Sequence, residues 1–232
     1  MRIWGYTTMK RKDYILIAFA ITALINLIGE GFDLPTVIWV SKPLLMPILL
    51  LWYLWKNKQL NLTPKLTIVS ALIFSFLGDV FLLPKGNEVF FMFGLSSFLY
   101  AQVAYIVTFS KDIQFKEVNK LFLFTVVTLF SIASILLFLS LLPHLGDFTI
   151  PVIIYGSIVS LMGITATLRK PFVSIHSFKY TFIGALFFVI SDAIIGIDKF
   201  IYQQELPFAD VSIMLFYILG QFLIVNGLLL RK

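Results

Sequence analysis

Eight apolar stretches, each long enough to cross a membrane as a helix, occupy most of the chain. They lie at 14–29, 36–55, 66–83, 88–109, 120–142, 149–168, 179–197 and 209–230. A helix of about 20 apolar residues crosses the roughly 30 Å of hydrocarbon in a bilayer. The breaks between them carry proline, glycine and polar residues, which are typical of turns. The sequence therefore predicts an all-α polytopic membrane protein, an eight-transmembrane-helix bundle that forms one domain over residues 1–232.

Composition and residue usage narrow the chemistry that such a bundle can carry. Of the 232 residues, 59% are hydrophobic and 13% are charged, whereas soluble domains carry about 25% charged residues. Cysteine is absent, which excludes disulfides, thiolate metal sites and cysteine nucleophiles. Because His144 and His176 fall in predicted loops, we expect no buried histidine-rich metal site.

Lysine and arginine alternate along the chain in a way that predicts its orientation. A short basic N-terminal segment, 1–13, is followed by connections that carry none, three, one, three, none, three and one basic residue. The positive-inside rule then puts both termini in the cytoplasm. The formal net charge of +6 is therefore interpreted as a topology signal. We expect no nucleic-acid partner, since no aromatic and basic face accompanies that charge.

A faint repeat relates the two halves of the chain. Asp79 and Asp192 each follow a small residue near the outer end of the third and seventh stretches, and Gln102 and Gln221 align in the fourth and eighth. Four helices per unit would give the halves one orientation, as in parallel-repeat membrane folds. The match is short, and chance is the alternative interpretation because apolar helices resemble one another easily.

Polar residues inside the apolar stretches fall in one layer. At a rise of about 1.5 Å per residue, four of them lie roughly 8–10 Å below the outer helix ends. These four are Lys42, Asp79, Tyr155 and Asp192, with Asn26 and Glu88 nearby and Gln102 and Gln221 deeper, toward the midplane. Ionisable residues at membrane depth are costly and usually functional, so we interpret this layer as a site.

The residue types in this layer suit acid–base chemistry. Two carboxyl groups in one apolar pocket resist being charged together, and one protonated and one ionised carboxyl is the pair that general acid–base catalysis uses. Lys42 is a candidate partner for one aspartate or for a substrate phosphate. Pro43 and Pro47 remove backbone hydrogen bonds next to it, which predicts a kink that opens the second helix.

Structural interpretations of the same residues stay open. The aspartates are also compatible with hydrogen bonds between helices, and Lys42 with snorkelling to the interface. Tyr155 would also fit an interfacial aromatic belt, and Gln102 and Gln221 would also fit interhelical hydrogen bonding.

Several segments, taken in order, resemble a known family. They are Lys42-Pro-Leu-Leu-Met-Pro47, Leu77-Gly-Asp-Val-Phe-Leu82, Gly94…Phe98…Tyr105, Pro151-Val…Tyr155, Gly184-Ala-Leu-Phe-Phe-Val-Ile-Ser-Asp192 with Lys199-Phe200, and Tyr217…Gln221. The ordered set, from the second stretch to the eighth, resembles the YhhN-like, or lysoplasmalogenase, membrane family. One departure is Gln102, which stands where that family often has a histidine. A histidine can shuttle protons, and an amide cannot do so at neutral pH.

The resemblance implies a hydrolase that cleaves the sn-1 vinyl ether bond of lysoplasmalogens into a fatty aldehyde and a glycerophospho-base, with no metal or cofactor. A vinyl ether is hydrolysed by protonation at carbon, followed by attack of water on the oxocarbenium ion. This requires an acid, a nearby negative charge and a positioned water. Asp79 and Asp192 would divide the catalytic roles. The candidate substrate-binding residues are Lys42, Tyr155, Gln102, Gln221, Asn26 and Glu88.

The substrate would be a lysophospholipid that arrives sideways from the outer leaflet, and the expected location is a bacterial cytoplasmic membrane. The competing classes are a small-molecule or lipid transporter and a non-catalytic lipid-binding protein. The inner halves of the third and seventh stretches, 66–76 and 182–190, are almost wholly apolar. That pattern favours a one-sided pocket over a transport path. The sequence makes no prediction of oligomeric state.

Overall fold

The computed structural model describes residues 11–57 and 62–231, and nearly all of them are helical. The helices are α1 Arg11–Gly31, α2 Pro35–Lys56, α3 Leu62–Phe81, α4 Glu88–Ser110, α5 Lys120–Leu141, α6 Thr149–Leu168, α7 Ile175–Phe200 and α8 Ala209–Leu229. Single 3-10 turns lie at Phe115–Glu117, Leu142–His144 and Gly146–Phe148. Because the described residues contain no β-strand, the all-α prediction is confirmed for that part of the chain.

Seven helices, α1, α2 and α4 to α8, are long and apolar enough to cross a membrane, which supports an integral membrane protein. Helix α3 has 20 residues, and its crossing stays a prediction from the sequence. The orientation with both termini in the cytoplasm also stays a prediction. Most of the basic N-terminal segment, residues 1–10, lies outside the described residues.

Capping side chains fix several helix starts. Asn87 accepts a hydrogen bond from the Phe90 amide at the start of α4, and Asn119 accepts from two amides at the start of α5. Ser174 accepts from the Ser177 amide, so α7 begins at Ile175 and not at residue 179. Such caps satisfy backbone donors that lack helical partners. The prediction of a loop around His176 is therefore wrong, and His176 lies in the first turn of α7.

The second helix passes through both of its internal prolines. Helix α2 is continuous from Pro35 to Lys56 with Pro43 and Pro47 inside it. Two residues before Pro43, the Ser41 hydroxyl donates to the Val37 carbonyl at 2.7 Å, and the Asn26 side-chain amide donates to Ser41 at 3.1 Å. The polar groups beside Lys42 thus tie α1 to α2, and the prolines do not divide the helix.

Glycines allow the closest helix packing in the bundle, between α7 and α8. A Cβ atom on Gly184 would lie 2.7 Å from the Gly220 carbonyl oxygen, and one on Gly227 would lie 2.6 Å from the Thr181 amide nitrogen. Small residues at such crossings bring backbones together where lipid gives no hydrophobic drive. Helices α3 and α4 form a second close pair, whereas α5 buries only Val126 and Leu141 along its described length.

An ion pair closes the end of the bundle where α8 ends. The fully buried Arg169 donates from Nε to the Asp112 carboxylate at 2.8 Å and from Nη2 to the Ser177 hydroxyl at 3.0 Å. Arg231 lies 3.5 Å from the same carboxylate. Breaking a buried pair by removing one partner leaves an uncompensated charge, so this cluster fixes the connection between α6 and α7.

We expect Gly184→Ala to lower the melting temperature of the detergent-solubilised protein, because its methyl group collides with the α8 backbone. Overpacking of this kind costs about 1–3 kcal/mol. Gly31→Ala is the matched control, since a Cβ atom there meets only a side-chain atom of Val211 at 3.6 Å. Equal melting temperatures for the two variants would contradict the close approach of α7 and α8.

Candidate active site

Asp192 on α7 forms a hydrogen-bonded pair with Tyr155 on α6. The Tyr155 hydroxyl donates to Asp192 Oδ2 at 3.0 Å. The preceding residue, Ser191, donates to the Ile213 carbonyl of α8 at 3.0 Å, which fixes this turn of α7 against its neighbour. Tyr155 is buried, while Asp192 is partly accessible and lines a cavity. The predicted layer therefore contains a carboxyl group that faces open space.

Asp79 on α3 has a different partner and a different environment. It is 2% exposed and accepts a hydrogen bond from the Tyr217 hydroxyl of α8 at 2.8 Å. The residue before it, Gly78, leaves room for Phe98, whose ring would lie 2.5 Å from a Cβ atom at that position. Phe98 in turn contacts the Tyr217 ring edge to face. Asp79 is thus sealed in the bundle, and Phe98 packs between its tyrosine and the cavity.

The cavity beside Asp192 is apolar and lies among α4, α5, α6 and α7. Its volume is about 240 Å³. Apart from Asp192 and Tyr155, its polar lining consists of two hydroxyls, Ser134 and Ser160, which hydrogen-bond to each other at 3.0 Å. The wall on the side of α5 is made by residues that include Phe130, Ala133, Leu137 and Phe138. A hydrocarbon chain is the kind of group that this lining accepts.

A second, polar cleft adjoins the cavity at the predicted outer end. It has a volume of about 200 Å³ and carries three lysines and two aspartates. These residues are Lys42, Lys85, Lys199, Asp198 and Asp210. Cleft and cavity share three lining residues, Leu82, Phe91 and Ile195. The apolar chamber that Asp192 lines thus meets a charged one.

Two of these lysines have carboxylate partners. Lys85 donates to Asp210 at 2.8 Å, and Lys42 lies 3.9 Å from Glu30. Burial lowers the pKa of Lys85, but the hydrogen bond and charge of Asp210 outweigh this, so its pKa is raised above the ordinary value. Lys85, in the connection between α3 and α4, therefore keeps its positive charge at neutral pH.

The two predicted glutamines differ sharply. Gln221 accepts a hydrogen bond from the Tyr105 hydroxyl at 2.6 Å and donates to Ser75 at 2.9 Å, linking α8 to α4 and α3. Gln102 is fully buried, within interaction range of the Tyr155 hydroxyl, yet neither atom of its amide has a hydrogen-bond partner of ordinary geometry. Buried amides are normally satisfied, so Gln102 stands apart from Gln221 as a buried amide beside the Tyr155 hydroxyl.

The remaining predicted residues lie at the edges of the site. Asn26 is buried between α1 and α2 next to Ser41, and Glu88 is exposed at the first turn of α4. Lys42 is close enough to Asp79 to act on it electrostatically. Within the described residues, no group of three or more histidine, aspartate or glutamate side chains is placed to hold a metal ion.

Tyr217 and Lys199 are the site residues that reasoning about depth missed. Tyr217 lies four residues before Gln221 on α8, so the helical spacing of two polar side chains was the available signal. Lys199 lies beyond the predicted end of its helix, because α7 runs to Phe200. Its contacts come from segments far apart in sequence, and no local pattern marks them.

The amino-acid sequence is similar to one protein family and to several known proteins. The model of the YhhN family matches residues 37–228. A protein of Mycobacterium bovis and one of Mycobacterium tuberculosis, both named lysoplasmalogenase, are each 34% identical over 141 residues. That alignment covers 60% of this chain, which spans about half (51%) of each mycobacterial relative.

A protein of Bos taurus named lysoplasmalogenase TMEM86A is 31% identical over 196 residues, which cover 80% of this chain and 77% of the relative. No solved structure matches the chain. The family predicted from the ordered motifs is confirmed by the match over 37–228 and by the bovine relative. The chain belongs to the YhhN family.

Proposed function

We propose that this protein is a membrane-embedded hydrolase that cleaves the sn-1 vinyl ether bond of lysoplasmalogens. The products are a fatty aldehyde and a glycerophospho-base. The names of the mycobacterial and bovine relatives support this substrate class. The observation that carries the proposal is the position of the Asp192 carboxyl, in the wall of an apolar cavity that adjoins a lysine-bearing cleft.

A lysophospholipid has an apolar end and a charged end, as the joined cavity and cleft do. Its hydrocarbon chain would occupy the apolar cavity, and its phosphate would lie in the polar cleft with Lys42. The cavity of about 240 Å³ is smaller than typical ligand pockets, which measure about 300–1,000 Å³. A long chain would therefore continue past α5, most of which is exposed, into the surrounding lipid. This geometry supports access from the side of the bilayer.

Asp192 is proposed to act first as the general acid. Tyr155 holds Oδ2, so Oδ1 would carry the proton to the vinyl carbon remote from the ether oxygen. The new C–H bond leaves an oxocarbenium ion, which the Asp192 carboxylate stabilises. Water then adds to the cation and returns its proton to Asp192, giving a hemiacetal. Cleavage of the C–O bond, with one proton transferred to the glycerol oxygen, releases aldehyde and alcohol.

Gln102 and Asp79 complete the proposed machinery. The unpartnered amide of Gln102, near Tyr155, would bind the attacking water. This role requires only hydrogen bonding, so it suits an amide where the family often has histidine. Asp79, paired with Tyr217, would act from behind Phe98 as a positioning residue. Through Tyr217 and Phe98 it would keep the wall of the cavity in place.

A non-catalytic lipid-binding role is the second candidate, and Gln102 in place of the family histidine favours it. The same cavity and cleft would then hold a lysolipid without turnover. Transport is less well supported, because the charged residues of the site gather at one end of the bundle.

We also propose that the chain crosses the membrane eight times, with both termini in the cytoplasm and its two halves in a parallel repeat. The alternation of basic connections supports this orientation. The proposed location is a bacterial cytoplasmic membrane.

Asp192→Asn and Asp79→Asn are expected to abolish aldehyde release from a vinyl-ether lysophospholipid. At position 192 an amide cannot donate the proton at neutral pH, and the loss of general acid catalysis costs at least about 100-fold in rate. At position 79 the amide disturbs the hydrogen bond from Tyr217 that holds the cavity wall. Asp33→Asn is the matched control. Asp33 is exposed with φ of 48°, a conformation that asparagine adopts readily.

Melting temperatures of all three variants should be measured first, so that lost activity is separated from lost folding. Aldehyde is then assayed on vinyl-ether, saturated-ether and ester lysolipids. Release by folded Asp192→Asn protein at the normal rate would exclude the proposed acid.

Gln102→Leu separates the water-binding role from a packing role. Leucine fills a similar volume but cannot hydrogen-bond, so aldehyde release is expected to fall while the melting temperature stays close to that of the wild type. Gln221→Leu, which breaks the bonds to Tyr105 and Ser75, serves as the comparison and is expected to lower the melting temperature. A drop in stability for Gln102→Leu would show instead that the amide is structural.

Ala133→Phe is expected to shorten the chain that the site accepts, because its ring would fill part of the cavity wall on α5. The kcat/KM for a long-chain vinyl-ether lysolipid should fall more than that for a short-chain one. Ala20→Phe, on an exposed position of α1, is the control. Equal losses for both chain lengths would place the chain elsewhere.

A further inference from the structure

The ammonium group of Lys199 lies among three phenylalanine rings at the end of α7. Its Nζ is 4.2 Å from the ring centre of Phe91 on α4, 5.7 Å from that of Phe148 before α6, and 5.8 Å from that of Phe200. The rings also contact one another, with centres 5.6–6.0 Å apart. We call these three phenylalanines the aromatic cage. All three are partly accessible.

A cluster of ring faces around a cation is a chemically selective arrangement. Aromatic rings present negative potential at their faces, and cages of this kind bind ammonium and quaternary ammonium groups. They offer nothing to a phosphate or a carboxylate. In the free protein the cation in the cage is the ammonium group of Lys199. Lys199 differs in this from Lys85 and Lys42, whose nearest charged neighbours are Asp210 and Glu30.

Lys199 also stands between two clefts. One is the polar cleft with Lys42 and Lys85. The other, of about 570 Å³, opens beside the cage and is lined by Phe148, Phe200 and the acidic residues Glu88 and Asp147. Phe91 and Phe200 also line the apolar cavity that contains Asp192. A ligand chain beside Asp192 therefore has the cage and the lysines at its polar end.

We propose that the aromatic cage binds the ammonium group of a zwitterionic lysophospholipid headgroup, and that Lys199 occupies the cage until that headgroup displaces it. This rests on the hydrolase function proposed above. An ammonium group two carbons from a phosphate fits a cage that borders a lysine-bearing cleft. The displaced Lys199 moves toward the phosphate, exchanging its ring contacts for an ion pair. Glu88 and Asp147 add negative charge on the side from which the ammonium approaches.

The arrangement makes headgroup selection a competition between two cations. A headgroup without an amine does not displace Lys199, so it loses both the cage and the extra phosphate contact. Phosphocholine and phosphoethanolamine headgroups gain both. Selectivity for amine-bearing lysolipids thus resides in Phe91, Phe148 and Phe200, and Asp192 has no part in it.

The test is a binding experiment that needs no turnover. Saturated-ether lysolipids of one chain length, with phosphocholine, phosphoethanolamine or phosphoglycerol headgroups, are titrated onto the detergent-solubilised wild-type protein and its variants. We expect wild type to prefer the two amine-bearing lipids. Phe148→Leu, which leaves the apolar cavity lining unchanged, should weaken phosphocholine binding about fivefold or more, as expected for loss of a cation–π contact, and leave phosphoglycerol binding unchanged.

Three further variants make the result specific. Phe148→Tyr keeps a ring and should restore the preference, and Phe91→Leu should reduce it as Phe148→Leu does. Phe93→Leu, on an exposed position of α4 outside the cage, should have no effect. An equal loss for all three headgroups, or an unchanged preference in Phe148→Leu and Phe91→Leu protein of normal melting temperature, would overturn the cage. Aldehyde release is scored separately, so a preference without turnover removes the hydrolase and leaves the cage.

Discussion

Two tyrosine hydroxyls make it possible for this bundle to bury carboxyl groups at membrane depth. A carboxyl group without a partner costs several kcal/mol there. Tyr217 satisfies Asp79 across α8 and α3, and Tyr155 satisfies Asp192 across α6 and α7. The first bond joins helices that are distant in sequence and the second joins consecutive ones, so the contacts that offset the cost of the acids also hold these helices together. The cavity, the cleft and the glutamine environments follow from that arrangement.

The two aspartates occupy equivalent sequence contexts but unequal places. Phe98 corresponds to Tyr217 in the faint repeat, and the two rings pack edge to face. If the repeat held for polar contacts, Asp192 would be paired with position 98, where a phenylalanine has no hydroxyl to donate. Its partner comes from α6 instead, and Asp192 keeps an open side toward the cavity. Asp79 keeps none. This asymmetry is why we propose different roles for the two carboxyl groups, with Asp192 meeting the substrate and Asp79 supporting the cavity wall.

The three lysines at the predicted outer end differ in the groups that they contact. Lys85 is engaged by Asp210 and Lys42 by Glu30, whereas Lys199 rests on aromatic faces. Ring faces thus hold Lys199 where carboxylates hold the other two lysines. Its position beside Leu82, Phe91 and Ile195, where the cleft and cavity meet, links the proposed headgroup contact to the proposed placement of the chain.

The sequence by itself determined the helices and their approximate ends, because hydropathy and turn residues are local properties, and its ordered motifs determined the family. It missed the start of α7 at Ile175, where one serine cap added a turn that hydropathy does not register. Only the tertiary structure decided which tyrosine meets which aspartate, why Gln221 is satisfied while Gln102 is not, and that Phe91, Phe148 and Phe200 surround Lys199. Those outcomes depend on which helix faces meet, and contacts such as that of Gly184 with the α8 backbone set those faces over separations that no local pattern records.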